Sequence, residues 1–315
     1  MHGLPALRPA TFAGRRWLEL ALDHRCNLRC LGCRSCHDGP DTKQRLTTRD
    51  AAAWLRAGRE HGVDRLWLGG GEPTLRDDLL VIVREARRVG YRDVVVQTNG
   101  VRLAYPKYRD ALVAAGVTEI RFNVKSHRAE IHDRLSGGVA CHEHLLTAIA
   151  GLAEAAPVAL AADVLLTRGT AGEMAPLVTF FAERGVRAFV LWLLSASDSE
   201  DARVAGEIPR ISDIGPALGA ALAEAQRCGA TLASLHTPPC TLPPLLRGIF
   251  SPASELGLLV VGPDARPFPL ETSPFEGGAY LPACAGCNAR PSCGGPRADY
   301  LAVHGDAEFA ALPAP

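Results

Sequence analysis

The order of apolar and amphipathic segments predicts an α/β fold in which a β-strand and a helix alternate six times. Three observations carry that expectation. Short apolar runs recur between residues 17 and 194, separated by segments of helical periodicity. Glycines fall where helices must stop before the next strand. The residues with chemical potential stand just after successive strands, the arrangement of a barrel, in which loops at strand C-termini converge on one centre.

Taken in order, the expected strands cover residues 17–22, 65–69, 93–98, 119–124, 158–166 and 187–194. Each is apolar enough to be buried on both faces of a parallel sheet. Helical patterns occupy 48–60, 77–89, 105–115, 143–155 and 173–184, and Gly62, Gly90, Gly116 and Gly185 sit where a left-handed C-cap is wanted. Right-handed βα crossovers permit an open doubly wound sheet or a barrel, full or partial. The loops favour the barrel: a triple-cysteine run follows the first strand, Gly70-Gly71-Glu72-Pro73 the second, Asn99-Gly100 the third and Lys125-Ser126-His127 the fourth. Beyond residue 194 the character changes. A polar connection over 195–210 leads to a helix over 211–228 and a short strand over 231–235, after which proline and glycine become dense. The expected organisation is an N-terminal segment 1–15, a barrel core 16–230, a small C-terminal domain 231–305 and a flexible Ala/Pro-rich tail 306–315.

Lys+Arg and Asp+Glu are equal at 34 each, so no net field draws the chain to nucleic acid or an anionic membrane. The most apolar stretch, 158–166, is interrupted by Asp163 and stops short of a membrane span. No apolar h-region follows Met1. A soluble, cytoplasmic enzyme is expected, with neither nucleic acid nor membrane as partner. Its ten cysteines then read as reduced and metal-binding rather than as a disulfide framework.

Cys26, Cys30 and Cys33 form a C-x3-C-x2-C run. Three thiolates at that spacing reach three corners of one cuboidal iron-sulfur cluster and leave the fourth iron open. Cys36 adds a second C-x2-C, so the four also suit a closed tetrahedral zinc site, and spacing alone leaves the two about level.

The triple-cysteine run after a first strand, Gly70-Gly71-Glu72-Pro73 after a second and the six βα repeats around them resemble the radical S-adenosylmethionine superfamily over roughly residues 16–194. The resemblance implies a partial (β/α)6 TIM-type barrel. It implies that Cys26, Cys30 and Cys33 hold a [4Fe-4S] cluster whose open iron chelates S-adenosylmethionine. Gly70, Gly71 and Glu72 match the family's GGE motif, followed by Pro73, whose backbone and carboxylate receive the methionine ammonium. Asn99 resembles the third-strand end, and Asn123 stands where a serine commonly contacts the cofactor. Gly32 replaces the usual aromatic before the third cysteine. Lys125 replaces the customary acid and reads as a solvated loop lysine or as the mark of an anionic substrate.

Cys284-x2-Cys287-x5-Cys293-Gly294-Gly295 resembles the later half of the SPASM/twitch extension carried by some members of that superfamily, with Cys240 as an upstream fourth ligand. Arg297 stands where a further cysteine would follow, so the one-cluster twitch type fits. Cys240, Cys284, Cys287 and Cys293 are then expected to hold an auxiliary [4Fe-4S] cluster, with zinc as the competing occupant. Cys141 and Cys228 read as small core residues. The family's activity implies reductive cleavage of S-adenosylmethionine to a 5′-deoxyadenosyl radical, fed by an external one-electron donor of flavodoxin or ferredoxin type. Hydrogen abstraction from a peptide or small-molecule substrate follows, giving net oxidation. Radical methyl or sulfur transfer is the alternative reaction, and a zinc-stapled binding module the alternative outside enzymes. His127, Arg128, His132, Asp133 and Trp192 lie near strand ends, each with an ordinary reading as loop charge, cap or core aromatic.

Overall fold

The structure, a computed structural model, describes residues 8–33, 43–154, 158–197, 202–273, 276 and 278–313. Cys36 lies outside them. Strands β1 (Trp17–Ala21), β2 (Arg65–Gly69), β3 (Asp93–Thr98), β4 (Glu119–Val124), β5 (Ala159–Leu166) and β6 (Ala188–Leu193) alternate with helices. These are α1 (Thr48–Glu60), α2 (Leu79–Val89), α3 (Pro106–Ala115), α4 (Ala129–Ser136), α5 (Cys141–Glu154) and α6 (Met174–Ala182). Local chemistry sets the helix ends. Thr47 Oγ1 accepts the Asp50 N–H at 3.1 Å to open α1, and Gly90 closes α2 at φ 99°, a conformation that costs a residue with a Cβ.

Among the described residues the sheet runs β7-β6-β5-β4-β3-β2-β1-β8-β9, where β7 is Thr231–Ser234, β8 Leu258–Val261 and β9 Pro267–Pro269. Every pair from β7 to β8 is parallel, and only β9 turns back antiparallel on β8. The sheet is therefore the expected parallel α/β sheet with open edges, as a partial barrel requires. Helices α7 (Ala202–Glu207), α8 (Ile211–Arg227), α9 (Ala253–Leu256) and α10 (Ala298–His304) complete it.

The strands are not apolar on both faces. Leu18, Leu20, Leu66, Leu68, Ile120 and Phe122 are buried towards the helices, each worth about 1.5–3 kcal/mol. Trp17, Glu19, Trp67, Arg121 and Asn123 alternate with them and are only half-buried. The second face is a polar lumen, and the period-2 alternation in β1 and β4 is its signature.

The sequence beyond residue 230 shares this sheet: β7 pairs with β6, and β8 pairs with β1. Phe309 is buried in the core, and the N–H of Leu312 donates to Cys287 Sγ at 3.3 Å. Residues 314–315 lie outside the description.

Candidate functional site

The triple-cysteine loop leaves β1 and is held from below by a helix that the sequence reading missed. Arg29 N–H donates to Ser136 O at 3.1 Å and Leu31 N–H to Leu135 O at 2.9 Å, both at the end of α4. The Cys33 N–H closes on Cys30 O at 3.2 Å, and the Leu28 N–H reaches Cys26 Sγ at 3.4 Å. Cys26, Cys30 and Cys33 are close enough to interact electrostatically. Burial pushes the Cys30 thiol up, and the neighbouring Lys125 ammonium offsets part of that rise. Lys125 is only 2% exposed and also donates to Asn123 Oδ1, so it is not a solvated loop lysine.

The Gly70-Gly71-Glu72 loop lies backbone to backbone on this one. Gly71 N–H donates to Asp23 O and Glu72 N–H to Arg25 O, each at 2.7 Å. A Cβ on Gly70 would stand 2.6 Å from Asp23 O, at φ 112°, and one on Gly71 would collide with Arg25 O. Gly71→Ala is accordingly expected to cost about 2 kcal/mol or more and to loosen the cysteine loop. Chemical denaturation of the metal-free protein checks this, and an unchanged midpoint would count against the contact.

Glu72 is 1% exposed and its carboxylate faces inward. Oε1 accepts from Thr74 N–H at 3.0 Å, Thr74 Oγ1 at 2.6 Å and Thr98 Oγ1 at 2.7 Å, while Oε2 accepts the Asn99 N–H at 2.7 Å. The side chain thus ties the ends of β2 and β3 together. Pro73 starts the short turn Pro73–Leu75 and is buried. Asn99 Nδ2 donates to Asn27 Oδ1 at 2.8 Å and lies 3.9 Å from Cys26 Sγ, bridging β3 to the cysteine loop.

Behind the cysteines a cavity of about 420 Å³ runs into the lumen, with Cys30 and Cys33 at one end and Glu19, Asp163 and Trp192 on its walls. Asp163 is saturated. Its Oδ1 accepts from Arg121 at 3.1 Å and Trp192 Nε1 at 3.2 Å, and its Oδ2 accepts from Gln97 Nε2 at 2.6 Å. His236 and Glu276 also line it, with Nε2 lying 2.9 and 2.8 Å from the two carboxylate oxygens. The Leu193 N–H and the Arg297 guanidinium both donate to Nδ1 at 3.1 Å, so Nδ1 is the acceptor and Nε2 carries the hydrogen that Glu276 receives.

Cys240, Cys284, Cys287 and Cys293 surround one small second cavity. Burial pushes the Cys240 and Cys293 thiols up, and backbone N–H groups of Ala310 and Gly295 respectively pull them back. With Leu312 N–H on Cys287, three of the four sulfurs receive a backbone hydrogen bond, the environment in which thiolates persist. Among the described residues no His, Cys, Asp and Glu side chains converge closely enough to hold a single metal ion. Both cysteine sets fit a multi-iron group: Cys30 and Cys33 line the lumen cavity with Cys26 close to Cys30, and four thiols surround a cavity in the other set.

Residues 22–170, which span the cysteine loop, the glycine loop and the lumen strands to β5, match the family model of the Radical SAM superfamily. This region of the chain is a radical SAM domain. The radical SAM region is similar to proteins named "Probable GTP 3',8-cyclase". One from Sulfurisphaera tokodaii is 29% identical over 170 residues, 54% of this chain and 53% of that one. One from Methanothermobacter thermautotrophicus is 27% identical over 205 residues, 64% and 62% of the two chains. The chain spans about half the length of the first of these curated relatives and about three-fifths of the second. In fold it resembles Streptococcus suis SuiB bound to S-adenosylmethionine, with TM-score 0.66 and 14% identity over 95% of this chain and 76% of that one. It also resembles anSMEcpe with bound AdoMet, with TM-score 0.65 and 15% identity over 94% and 93%.

Of the residues singled out in the sequence, Cys30, Cys33, Asn123, Lys125 and Trp192 line the lumen cavity. The other strand-end candidates serve the scaffold. Asp133 Oδ1 accepts the His142 N–H at 2.8 Å, Arg128 pairs with Glu173 at 2.9 Å, and His127 lies against Phe180. His132 Nδ1 accepts the Lys125 N–H at 3.4 Å, and burial first, then the Lys125 charge, hold it down at about 3. Cys141 is core as expected, whereas Cys228 is half-buried at the end of α8. The sequence reading did not single out Glu19, Asp163, His236 and Glu276. For Glu19 and Asp163 the available signal was a polar residue inside an apolar strand. Among the described residues no helix is long and apolar enough to cross a membrane.

Proposed function

We propose that this chain is a radical SAM enzyme that oxidises a peptide or small-molecule substrate in the lumen cavity. Cys26, Cys30 and Cys33 hold an open [4Fe-4S] cluster there, and Cys240, Cys284, Cys287 and Cys293 hold a second, fully ligated one. The observation that carries the reading is the pairing of a three-cysteine loop, two of whose thiols line the lumen cavity, with four thiols around a second cavity. When bound, the first cluster with S-adenosylmethionine supplies a 5′-deoxyadenosyl radical for hydrogen abstraction, and the second is suited to electron transfer. The chain's own residues order the site. Gly70 and Gly71 let the loop's backbone approach the cysteine loop, and Asn99 braces that loop. Asn123 holds Lys125, whose ammonium stands beside Cys30 to receive an anionic group. Trp192, Leu165 and Leu258 line walls that exclude water.

The company of the first cysteine set favours a cluster over zinc at the C-terminal thiols, and four thiols leave no vacancy of the kind that group transfer at the second cluster requires. A nucleoside triphosphate, the substrate named for the cyclases, fits the cavity poorly. Arg121 and Arg297 already have carboxylate partners, leaving Lys125 as the cation free for phosphate. An external one-electron donor of flavodoxin or ferredoxin type completes the scheme.

Iron and acid-labile sulfide per chain after anaerobic purification test it. About eight irons in wild type and about four in a Cys26/Cys30/Cys33→Ala variant are expected. Four falling to none would remove the second cluster, and no iron in either protein would sink the enzyme reading in favour of a zinc-stapled module.

A further inference from the structure

The carboxyl groups around the lumen cavity are nearly all compensated within the protein. Asp163 is paired with Arg121, and Glu276 receives His236; of the cations, Arg297 is paired with Asp299, while Lys125 has only the neutral Asn123 and the Cys30 thiol beside it. Glu19 is the exception. It lies on the lumen face of β1, in register with Trp67 on β2 and Val260 on β8, and lines the same cavity as the two cysteines. Its neighbour Gly69 contributes no side chain: a Cβ there would stand 3.4 Å from both Glu19 Oε1 and Gln97 Oε1. Among the described residues Glu19 makes no hydrogen bond or ion pair. A half-buried carboxyl without a partner is costly, and a fold that keeps one in a ligand-sized cavity leaves its partner to be supplied by the ligand.

We propose that Glu19 recognises a cationic nitrogen of the substrate, an amine, amidine or guanidine, carried into the barrel lumen. This substrate class rests on the lumen cavity being the reaction chamber. The walls suit such a group. The Arg121 guanidinium already lies 4.8 Å over the Trp67 ring, which shows that face accepting a cation, and the Trp192 indole stands on the same cavity. Burial first, and the Asp163 charge second, push Glu19 up to about 7. The groups facing it are Asp163 from β5, Arg121 with Glu119 from β4, Gln97 from β3 and Trp67 from β2, while β8 offers Val260. Entry of a cation draws Glu19 to its carboxylate form and releases a proton, so affinity rises with pH through that value.

The test uses the anaerobically reconstituted holoprotein with S-adenosylmethionine, titrated calorimetrically with n-butylguanidinium chloride and, separately, with the uncharged n-butylurea. Wild type is expected to prefer the cation by about tenfold or more at pH 7.5, with the preference growing from pH 6 to pH 8. Glu19→Gln removes an unpaired, half-buried carboxyl and should fold. It is expected to bind both probes alike, with unchanged iron content and unchanged S-adenosylmethionine binding. The proposal is overturned if the variant keeps the preference, if wild type shows none, or if the variant loses S-adenosylmethionine instead, which would assign Glu19 to the cofactor. Should wild type hold no iron, the chamber reading fails separately, and the same titration on the iron-free protein still decides whether Glu19 binds the cation.

Discussion

Arg297→Met is expected to destabilise the fold by about 3–5 kcal/mol, lowering the melting temperature by on the order of 5–15 °C. The guanidinium is 6% exposed and uses every face. Nε and one terminal nitrogen donate to the two oxygens of Asp299, each at 3.0 Å. The terminal nitrogens also reach Leu193 O at 3.0 Å, Leu194 O at 2.8 Å and His236 Nδ1 at 3.1 Å. This one side chain therefore fastens α10 to the end of β6 and fixes the imidazole that holds Glu276. Asp299 is bound on its other side by Ser195 Oγ at 3.0 Å and Ala196 N–H at 2.9 Å. Burial alone would push Asp299 up, but Arg297 and these donors hold its carboxyl below the usual range. Its contribution is present above the unfolded value of about 3.9 and is lost as pH falls through the lower folded value. Arg297→Met leaves a buried charge and two carbonyls unpaired, whereas Arg297→Met with Asp299→Leu removes the charge as well and should recover part of the loss. Calorimetric melting across pH 3–8 reads both effects. A single variant within about 2 °C of wild type would show that the clamp carries little.

Glu72→Ala is expected to cost about 3 kcal/mol or more in the metal-free protein, before any cofactor is present. Four donors, Thr74 N–H, Thr74 Oγ1, Thr98 Oγ1 and Asn99 N–H, converge on this one carboxylate, and truncation strands the two backbone N–H groups in a dry interior. Glu72→Gln keeps the volume but turns an amide NH2 towards one of those N–H groups, so a loss of about 1–3 kcal/mol is expected there. Burial is the largest influence on Glu72 and pushes it up against the pull of its donors. The group's contribution is therefore greatest below its unfolded value and declines as pH rises through the folded one, and Glu72→Gln removes that decline. Urea unfolding of metal-free wild type and variants at pH 5 and pH 8 measures it. Unchanged stability together with weakened S-adenosylmethionine binding would return the carboxylate to a direct role at the cofactor.

Much of the fold was legible because hydrophobic period and turn chemistry are local. The expected 65–69, 93–98 and 119–124 coincide with β2, β3 and β4, and Gly90 and Gly116 adopt the left-handed caps foreseen for them. Helix α4 escaped because its eight residues follow a polar loop at once and carry His132 and Asp133, which read as site candidates. The lumen escaped for a different reason. Strands rich in Leu and Val read as buried on both faces, yet Glu19 and Arg121 stand at alternate positions and face inward. Lys125 next to them could not be placed by sequence, since a loop lysine is ordinarily wet and this one is enclosed.

The sequence by itself determined the cysteine sets, the glycine loop and the strand–helix order, because each is a spacing of a few residues along the chain. Only the tertiary structure decided that Glu72 ties two strand ends together and that Glu19 lies without a partner among compensated carboxyl groups. It also decided that Arg297, in place of a cysteine, clamps β6 to α10. Those are properties of groups that meet from strands and helices far apart in sequence, and desolvation, which sets their charge and their cost, exists only once the chain has closed around them.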